Sequence, residues 1–463
     1  MIHIIGGGLA GCEAAWQTAS RGVMVTIHEM RPVTPTAVHK TDRLAELVCS
    51  NSLRSDKPDN AVGVLKQEMR LLGSLVMRVA DDTRVPAGAA LAVDRHRFSA
   101  AITAEVEQHP LITVVREEIT AVPQPADDRS PVVIATGPLT APALSAAIAE
   151  LVGQSHLYFY DAISPIVLAE SIDHGKVFRA SRWGRSLRGD RPGDAMAAIE
   201  AGDYLNCPFT AEEYARFYDA LAHDERASVH DFDREHFFEG CLPVEVMAHR
   251  GVDTLRFGPM KPVGLVDPRT GRYPYAVVQL RQDTMAGDHY SLVGFQTQLT
   301  WGAQARVLRL IPGLEQAEFV RFGTVHRNTY INGPTVLRET WQTRRDAHLL
   351  FAGQISGVEG YVESAASGLL AGLNAAAIAR GEPTSAPPRT TAMGALAHYV
   401  SHADPRNYQP SNITFGIMEP LDLTGRAGRR AHDKLARKLA MAERAFADVQ
   451  EWVRGLRGLH GDG

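Results

Sequence analysis

Apolar residues along this chain come in short runs that end at glycines, and the first run sets the pattern. Ile2, Ile4 and Ile5 lead at once into Gly6-Gly7-Gly8-Leu9-Ala10-Gly11, then into an alanine-rich stretch, Cys12 to Ser20, that reads as helix. A second apolar run, Val23 to His28, ends in Glu29. The pattern predicts strand, tight turn, helix, strand. Two later runs behave alike. Pro131-Val132-Val133-Ile134 leads into Ala135-Thr136-Gly137-Pro138. Leu349-Leu350-Phe351-Ala352 leads into Gly353-Gln354, through Gly357 and Gly360 to Tyr361, and then into a helix of small residues from Glu363 to Ala379. Between them lie strand-like runs such as Tyr275 to Leu280 and Ser291 to Phe295, separated by Pro/Gly turns. Asp190 to Asp194 reads as an exposed loop, Pro383 to Pro388 as a linker, and Arg426 to Val453 as a charged helix or helix pair.

Glycines spaced Gly-x-Gly-x-x-Gly (Gly6, Gly8, Gly11) between a strand and a helix suit a dinucleotide. The first lets the chain turn tightly, the second lets backbone approach a pyrophosphate, and the third lets helix and strand pack closely. Phosphates then meet the free N–H groups and positive dipole end of the helix. Candidate cofactor contacts are therefore Gly6, Gly7, Gly8, Leu9, Ala10 and Gly11, with Glu29 placed to accept hydrogen bonds from a ribose. Thr136 and Gly137 in the second turn, and Gly353, Gln354, Gly357, Gly360 and Tyr361 in the third, add two further places where backbone passes close to a ligand. Each later turn alone reads more readily as an ordinary tight turn. Three such elements spread along the chain fit an extended cofactor such as FAD, whereas an NAD-binding module would be complete within about 150 contiguous residues. The expected fold is α/β, a Rossmann-like FAD-binding domain of the glutathione-reductase type with an inserted α+β domain. The expected divisions are 1–165 and 325–440 for the FAD-binding domain, 166–324 for the insert and 441–463 for a C-terminal tail.

Composition narrows the setting. Of the 463 residues 45% are hydrophobic and 22% charged, ordinary for a globular protein of two or three domains. No run approaches the roughly 20 apolar residues of a membrane helix, and the N-terminal apolar residues belong to the first strand, so neither a membrane span nor a leader is expected. The four cysteines, Cys12, Cys49, Cys207 and Cys241, show no C-x-x-C spacing. That argues against a disulfide framework or a metal site and points to a reducing cytoplasm. A net charge of −5 leaves nucleic-acid binding to local basic patches.

Two cysteines lie in polar segments. Glu46 to Ser55 sets Cys49 among hydroxyl and amide side chains with Arg54 near in sequence, which would favour a thiolate. Phe237 to Glu245 sets Cys241 between Gly240 and a Leu242-Pro243 turn. From chemistry alone both read more readily as small buried hydrophobes, the usual fate of a free cysteine, as Cys12 does on the first helix. Bases cluster at Arg179, Arg182, Arg185, Arg188 and Arg191 around Trp183, and at Arg426, Arg429, Arg430, Lys434, Arg437 and Lys438. Such clusters neutralise phosphates and their aromatics stack on splayed bases, although each alone also fits a solvated face. Gly258 to Pro262 and His326-Arg327-Asn328-Thr329 are further polar turns suited to line a pocket.

The segments Gly6–Gly11, Glu29-Met30-Arg31-Pro32, Glu46–Ser55, Val85–Gly88, Phe237–Ala248, Phe257–Leu265, His326–Thr329 and Gly353–Gly368 together closely resemble one family, from residue 1 to about 420. It is the bacterial folate- and FAD-dependent tRNA uracil-54 C5-methyltransferases, TrmFO. The Cys49 and Cys241 segments are specific to that family, whereas the related wobble-uridine flavoprotein GidA/MnmG shares only the flavin elements and is longer. The run from Arg185 to Ala201 is longer than in the family, and the tail beyond Arg444 is not diagnostic. The resemblance implies transfer of the methylene of 5,10-methylenetetrahydrofolate to C5 of the T-loop uridine of tRNA. Reduced FAD would supply electrons, and NADH or NADPH would reload the flavin. It also implies Arg31 as a cofactor contact, Cys241 as the nucleophile toward uracil C6, and Cys49 as a second essential thiol that handles the C5 proton. Those two roles are exchangeable at this level. A small-molecule flavin oxidoreductase and a non-catalytic RNA-binding flavoprotein are the other readings, and the sequence names no protein partner.

Overall fold

The computed structural model describes residues 1–36, 38–125, 127–153, 157–162, 164–185, 202–225, 242–323, 325–421 and 434–458. Strand Ile2–Ile5 lies at the centre of a five-stranded parallel sheet ordered Leu349–Phe351, Val132–Ile134, Ile2–Ile5, Val25–Glu29, Ile112–Arg116. Covered on both faces, these strands read as continuous apolar runs, which is why the sequence reveals most of them. All three glycine-bearing turns leave the same end of this sheet, because parallel strands send their C-terminal ends the same way.

Helix Leu9–Ala19 begins three residues before the alanine-rich stretch, directly at Gly8, its N-cap. It packs on helix Tyr361–Arg380 with almost no side-chain spacer. A Cβ on Gly368 would fall 2.2 Å from the Ala10 carbonyl oxygen, and one on Gly372 2.4 Å from that of Ala14. The Thr18 hydroxyl donates to the Gly372 carbonyl oxygen across the same seam (3.2 Å). Tyr361–Arg380 corrects one expectation, since it is long and apolar enough to cross a bilayer. Its apolar window is 78% buried inside the protein, where the sheet and helix Leu9–Ala19 cover it. Alanines and glycines hide this run in the sequence.

A second core surrounds a six-stranded antiparallel sheet ordered Phe178–Ala180, Tyr204–Phe209, Ala276–Gln282, His289–Leu292, Ile166–Leu168, Phe319–Arg321. Helix Ala211–His223, started by a Thr210/Glu213 capping box, buries Tyr214, Phe217 and Leu221 against it. The first core draws on residues 2–152 and 331–445, the second on 167–317. Strands Leu157–Ala162 and Val325–Tyr330 carry the chain out and back, and they pair antiparallel from Leu157↔Tyr330 to Ala162↔Val325. A small sheet of Ser52–Ser55, Ala90–Val93 and Arg84–Val85 stands beside the parallel sheet. Helix Lys434–Gly458 runs through the division expected at residue 440 and places Met441, Ala442 and Ala445 in the first core.

Candidate active site

The turn after Ile2–Ile5 is shaped by what glycine lacks. Gly6 has φ +107°, and a Cβ there would strike the Ala135 carbonyl oxygen at 2.5 Å. A Cβ on Gly11 would fall 1.9 Å from the Gly6 carbonyl oxygen. These two glycines serve packing. Gly8 differs, because a Cβ there meets nothing within 4 Å and would project into open space. No side chain caps the helix at Gly8, so its first N–H groups remain available to an anion.

That open space belongs to a cleft of about 1100 Å³. Gly6, Gly7, Gly8, Leu9, Ala10, Glu29, Arg31, Thr136, Gly137, Gly353, Gln354 and Tyr361 all line it. A bare helix N-terminus, a missing side chain at Gly8 and the meeting of all three turns fit a long dinucleotide such as FAD. Gly11, Gly357 and Gly360 do not line the cleft. A Cβ on Gly357 would fall 2.0 Å from Tyr408 Oη, and one on Gly360 2.5 Å from Glu363 Oε2.

Glu29 is more committed than its sequence position suggests. Its Oε2 accepts the Gly7 N–H (2.9 Å), and its Oε1 accepts the N–H (3.0 Å) and Nε (2.8 Å) of Arg31. Burial opposes ionisation, but the Arg31 hydrogen bond and charge outweigh it and hold the carboxyl below its usual range. Three of about four acceptor positions are therefore taken, which leaves one for a ribose. Arg31 in turn donates to the Thr41 carbonyl oxygen (3.2 Å) and Glu46 (3.4 Å), so it braces the cleft wall.

Sequence reasoning missed His28, Glu117 and the Pro138–Ala141 stretch, which also line the cleft. His28 Nδ1 lies 2.7 Å from Glu117 Oε1, and its other nitrogen is 2.9 Å from His3 Nδ1. The apolar strand Ile112–Arg116 before Glu117 was the available signal.

Cys49 is half-buried beside this cleft. Its N–H donates to Tyr361 Oη at 2.7 Å, and that of Ser50 to the same oxygen at 3.2 Å. Three arginines hold the rest of the loop. Arg95 Nη1 donates to the Leu47 carbonyl oxygen (2.6 Å), while Arg321 donates to those of Val48 (3.0 Å) and Cys49 (2.8 Å). Arg281 reaches Ser50 Oγ (2.7 Å) and Asn51 Oδ1 (2.8 Å). Asp283 pairs directly with Arg95 at 3.1 Å, and its charge also acts on Arg281 and Arg321. Burial, then the charge of Arg95, pull Arg321 down to about 10, and burial lowers Arg281 as well. Cys49 lies within the electrostatic reach of all three guanidiniums. Such a field favours a thiolate. Arg54 does not contribute as expected, because its guanidinium turns to buried Glu363.

Cys241 lies outside the described residues. The helix that follows, Val244–His249, is fixed by Glu245, which accepts the Gln298 N–H (2.6 Å) and the Thr297 hydroxyl (3.0 Å). Cys12 and Cys207 are fully buried, and burial pushes both thiols far up. Of the basic clusters, Arg179 donates to Tyr290 Oη (3.0 Å) and Arg182 to Gln279 Oε1 (3.2 Å), so both serve the second core. Trp183 beside them is 59% exposed. Arg188, Arg191, Arg426, Arg429 and Arg430 lie outside the described residues, as does the Asp190–Asp194 loop. Asn328 is fully buried, and neither end of its amide finds a partner among the described residues.

Comparison with known proteins places this geometry. The family model "Glucose inhibited division protein A" (GIDA) matches residues 1–383. A Bacillus cereus protein named methylenetetrahydrofolate--tRNA-(uracil-5-)-methyltransferase TrmFO is 54% identical over 453 residues, covering 98% of this chain and 99% of its own. The protein of the same name from Moorella thermoacetica is 56% identical over 445 residues, 96% of each chain. In structure, Aquifex aeolicus GidA superposes with a TM-score of 0.65 at 16% identity, over 99% of this chain and 76% of that one, which shows a shared fold. The chain therefore belongs to the GidA family and, within it, to the TrmFO methyltransferases.

Proposed function

We propose that the protein transfers the methylene carbon of 5,10-methylenetetrahydrofolate to C5 of uridine 54 in the T-loop of tRNA and leaves it there as methyl. The observation that carries this reading is the placement of Cys49, hung from Tyr361 at the wall of a dinucleotide cleft and set among three guanidiniums. The turns at Gly6–Ala10, Thr136–Gly137 and Gly353–Gln354 would hold FAD, with Gly7 and Glu29 orienting its ribose end. Bound there, reduced FAD would supply the electrons that convert methylene to methyl, with NADH or NADPH as their source.

The side chains supply the rest. Uracil C5 is a weak nucleophile until something adds at C6, and a thiolate suits that addition. Once the new carbon–carbon bond forms, the C5 proton must pass to a base and the C6–S bond must break. Cys241 is our nucleophile and Cys49 our base, with Arg95, Arg281 and Arg321 keeping Cys49 ready to take the proton. The target uridine must leave its stack to reach this site. Exposed Trp183 offers such a base a ring to stack on. A reducing cytoplasm keeps both thiols usable.

The test is a methylation assay on the yellow, purified protein with unmodified tRNA transcript, carbon-labelled methylenetetrahydrofolate and NADPH. Labelled 5-methyluridine at position 54 is the expected product. Flavin reduction without any labelled nucleoside would refute the reading.

A further inference from the structure

His398 and His402 stand one turn apart on helix Ala392–His402, with their imidazoles nearly parallel (10°) and centred 4.4 Å apart. Glu339 reaches them from the loop before strand Leu349–Phe351. Its Oε1 is 2.7 Å from His398 Nδ1 and 3.6 Å from His402 Nδ1. One ligand atom from each of the three residues lies within 4.8 Å of the others. A tetrahedral ion with bonds of about 2.0–2.2 Å holds its ligands about 3.3–3.6 Å apart. Small rotations of these partly exposed side chains reach that spacing.

We propose that Glu339, His398 and His402 form a binding site for a borderline divalent transition metal, zinc or nickel in class. Two imidazoles at i and i+4 on one helix face are a recurrent metal-binding pair, and a carboxylate completes three ligands with a position left for water. Nitrogen donors select zinc, nickel or copper over calcium and magnesium. His402 ends its helix, where the last carbonyls favour a cation. Arg344 shares that end by donating to the Ser401 carbonyl oxygen (2.9 Å), so the negative charge of Glu339 is what tips the balance toward a metal.

The site would tie the Glu339 loop to helix Ala392–His402, beside the hydrogen bond from Arg344 to Ser401. The loop carrying Glu339 continues through Gln342, which bridges to Leu350 in the sheet. The Leu349–Phe351 strand then delivers Gly353 and Gln354 to the cofactor cleft. A bound ion would brace that strand from behind without touching the reacting groups. Cysteine spacing, the ground for expecting no metal, says nothing of a site whose Glu339 lies 59 residues from His398.

The test uses full-length, FAD-loaded protein treated with chelator and titrated with ZnCl2, then NiCl2, by isothermal calorimetry. Cysteines also take zinc, so the controls are the His398→Ala/His402→Ala double variant and Glu339→Gln. One equivalent should bind the parent protein, and the affinity should fall by about tenfold or more in either control. Zinc should raise the melting temperature of the parent alone, and metal-free turnover should be equal in all three. An identical isotherm in the double variant would place the metal elsewhere and overturn the proposal. No binding heat and no melting shift would reduce the cluster to a histidine–glutamate ion pair and overturn it equally.

Discussion

Tyr361 Oη accepts the backbone N–H of Cys49, so one hydroxyl links the first residue of the helix behind the third glycine turn to the loop that presents the thiol. Burial, reinforced by Cys49, raises the phenol well above its ordinary value and keeps it neutral. Tyr361→Phe leaves the N–H groups of Cys49 and Ser50 without this acceptor, at a cost of about 1–3 kcal/mol. The variant should remain yellow, melt earlier and lose turnover. Flavin absorbance, a melting curve and the methylation assay read these three effects separately.

Arg321→Met removes one of three cations around Cys49 and two hydrogen bonds to its loop. Iodoacetamide should then alkylate Cys49 several-fold more slowly at neutral pH, because the thiolate is the reactive form. Mass spectrometry of the modified peptide against time measures the rate. An unchanged rate would place the thiol outside the influence of Arg321.

Gly8 and Gly11 should fail in different ways. Gly8→Val projects into open space from an ordinary backbone conformation (φ −76°), so the protein should fold and emerge colourless. Gly11→Ala drives a methyl into the Gly6 carbonyl oxygen and should cost stability first, by about 1–3 kcal/mol or more. Thermal unfolding and flavin content, measured on both variants, separate the two.

Glu68 is fully buried under helix Ala392–His402, where its oxygens accept the N–H groups of Ala392 (2.7 Å) and Met393 (2.8 Å). Burial pushes its carboxyl up from 4.5 to about 8, against the pull of those hydrogen bonds. Between these values the native protein holds a proton that the unfolded chain has lost. Stability should therefore fall as pH rises through that window, by up to about 1.4 kcal/mol per pH unit. Glu68→Gln should flatten the slope, as melting temperatures at both ends of the window would reveal.

Local chemistry was legible in the sequence, and chemistry assembled across distance was not. A strand running into glycines announces a phosphate turn because every element involved is contiguous. Yet spacing alone could not separate Gly8, which keeps space open, from Gly11, which lets backbone touch backbone. Arg54 looked like the cation for Cys49 because it was five residues away, but it turns to Glu363. The arginines that face the thiol come from helix Arg95–Gln108 and from two strands of the other core. Gly368 and Gly372 read as filler until their seam with Ala10 and Ala14 is seen.

The paired strands Leu157–Ala162 and Val325–Tyr330 join the two cores. The loop of Cys49 and helix Arg95–Gln108 lie beside the parallel sheet, whereas Arg281 and Arg321 stand on strands of the antiparallel sheet. The cations around the thiol are therefore complete only where the two cores meet. Either core by itself would present Cys49 with part of its charge missing.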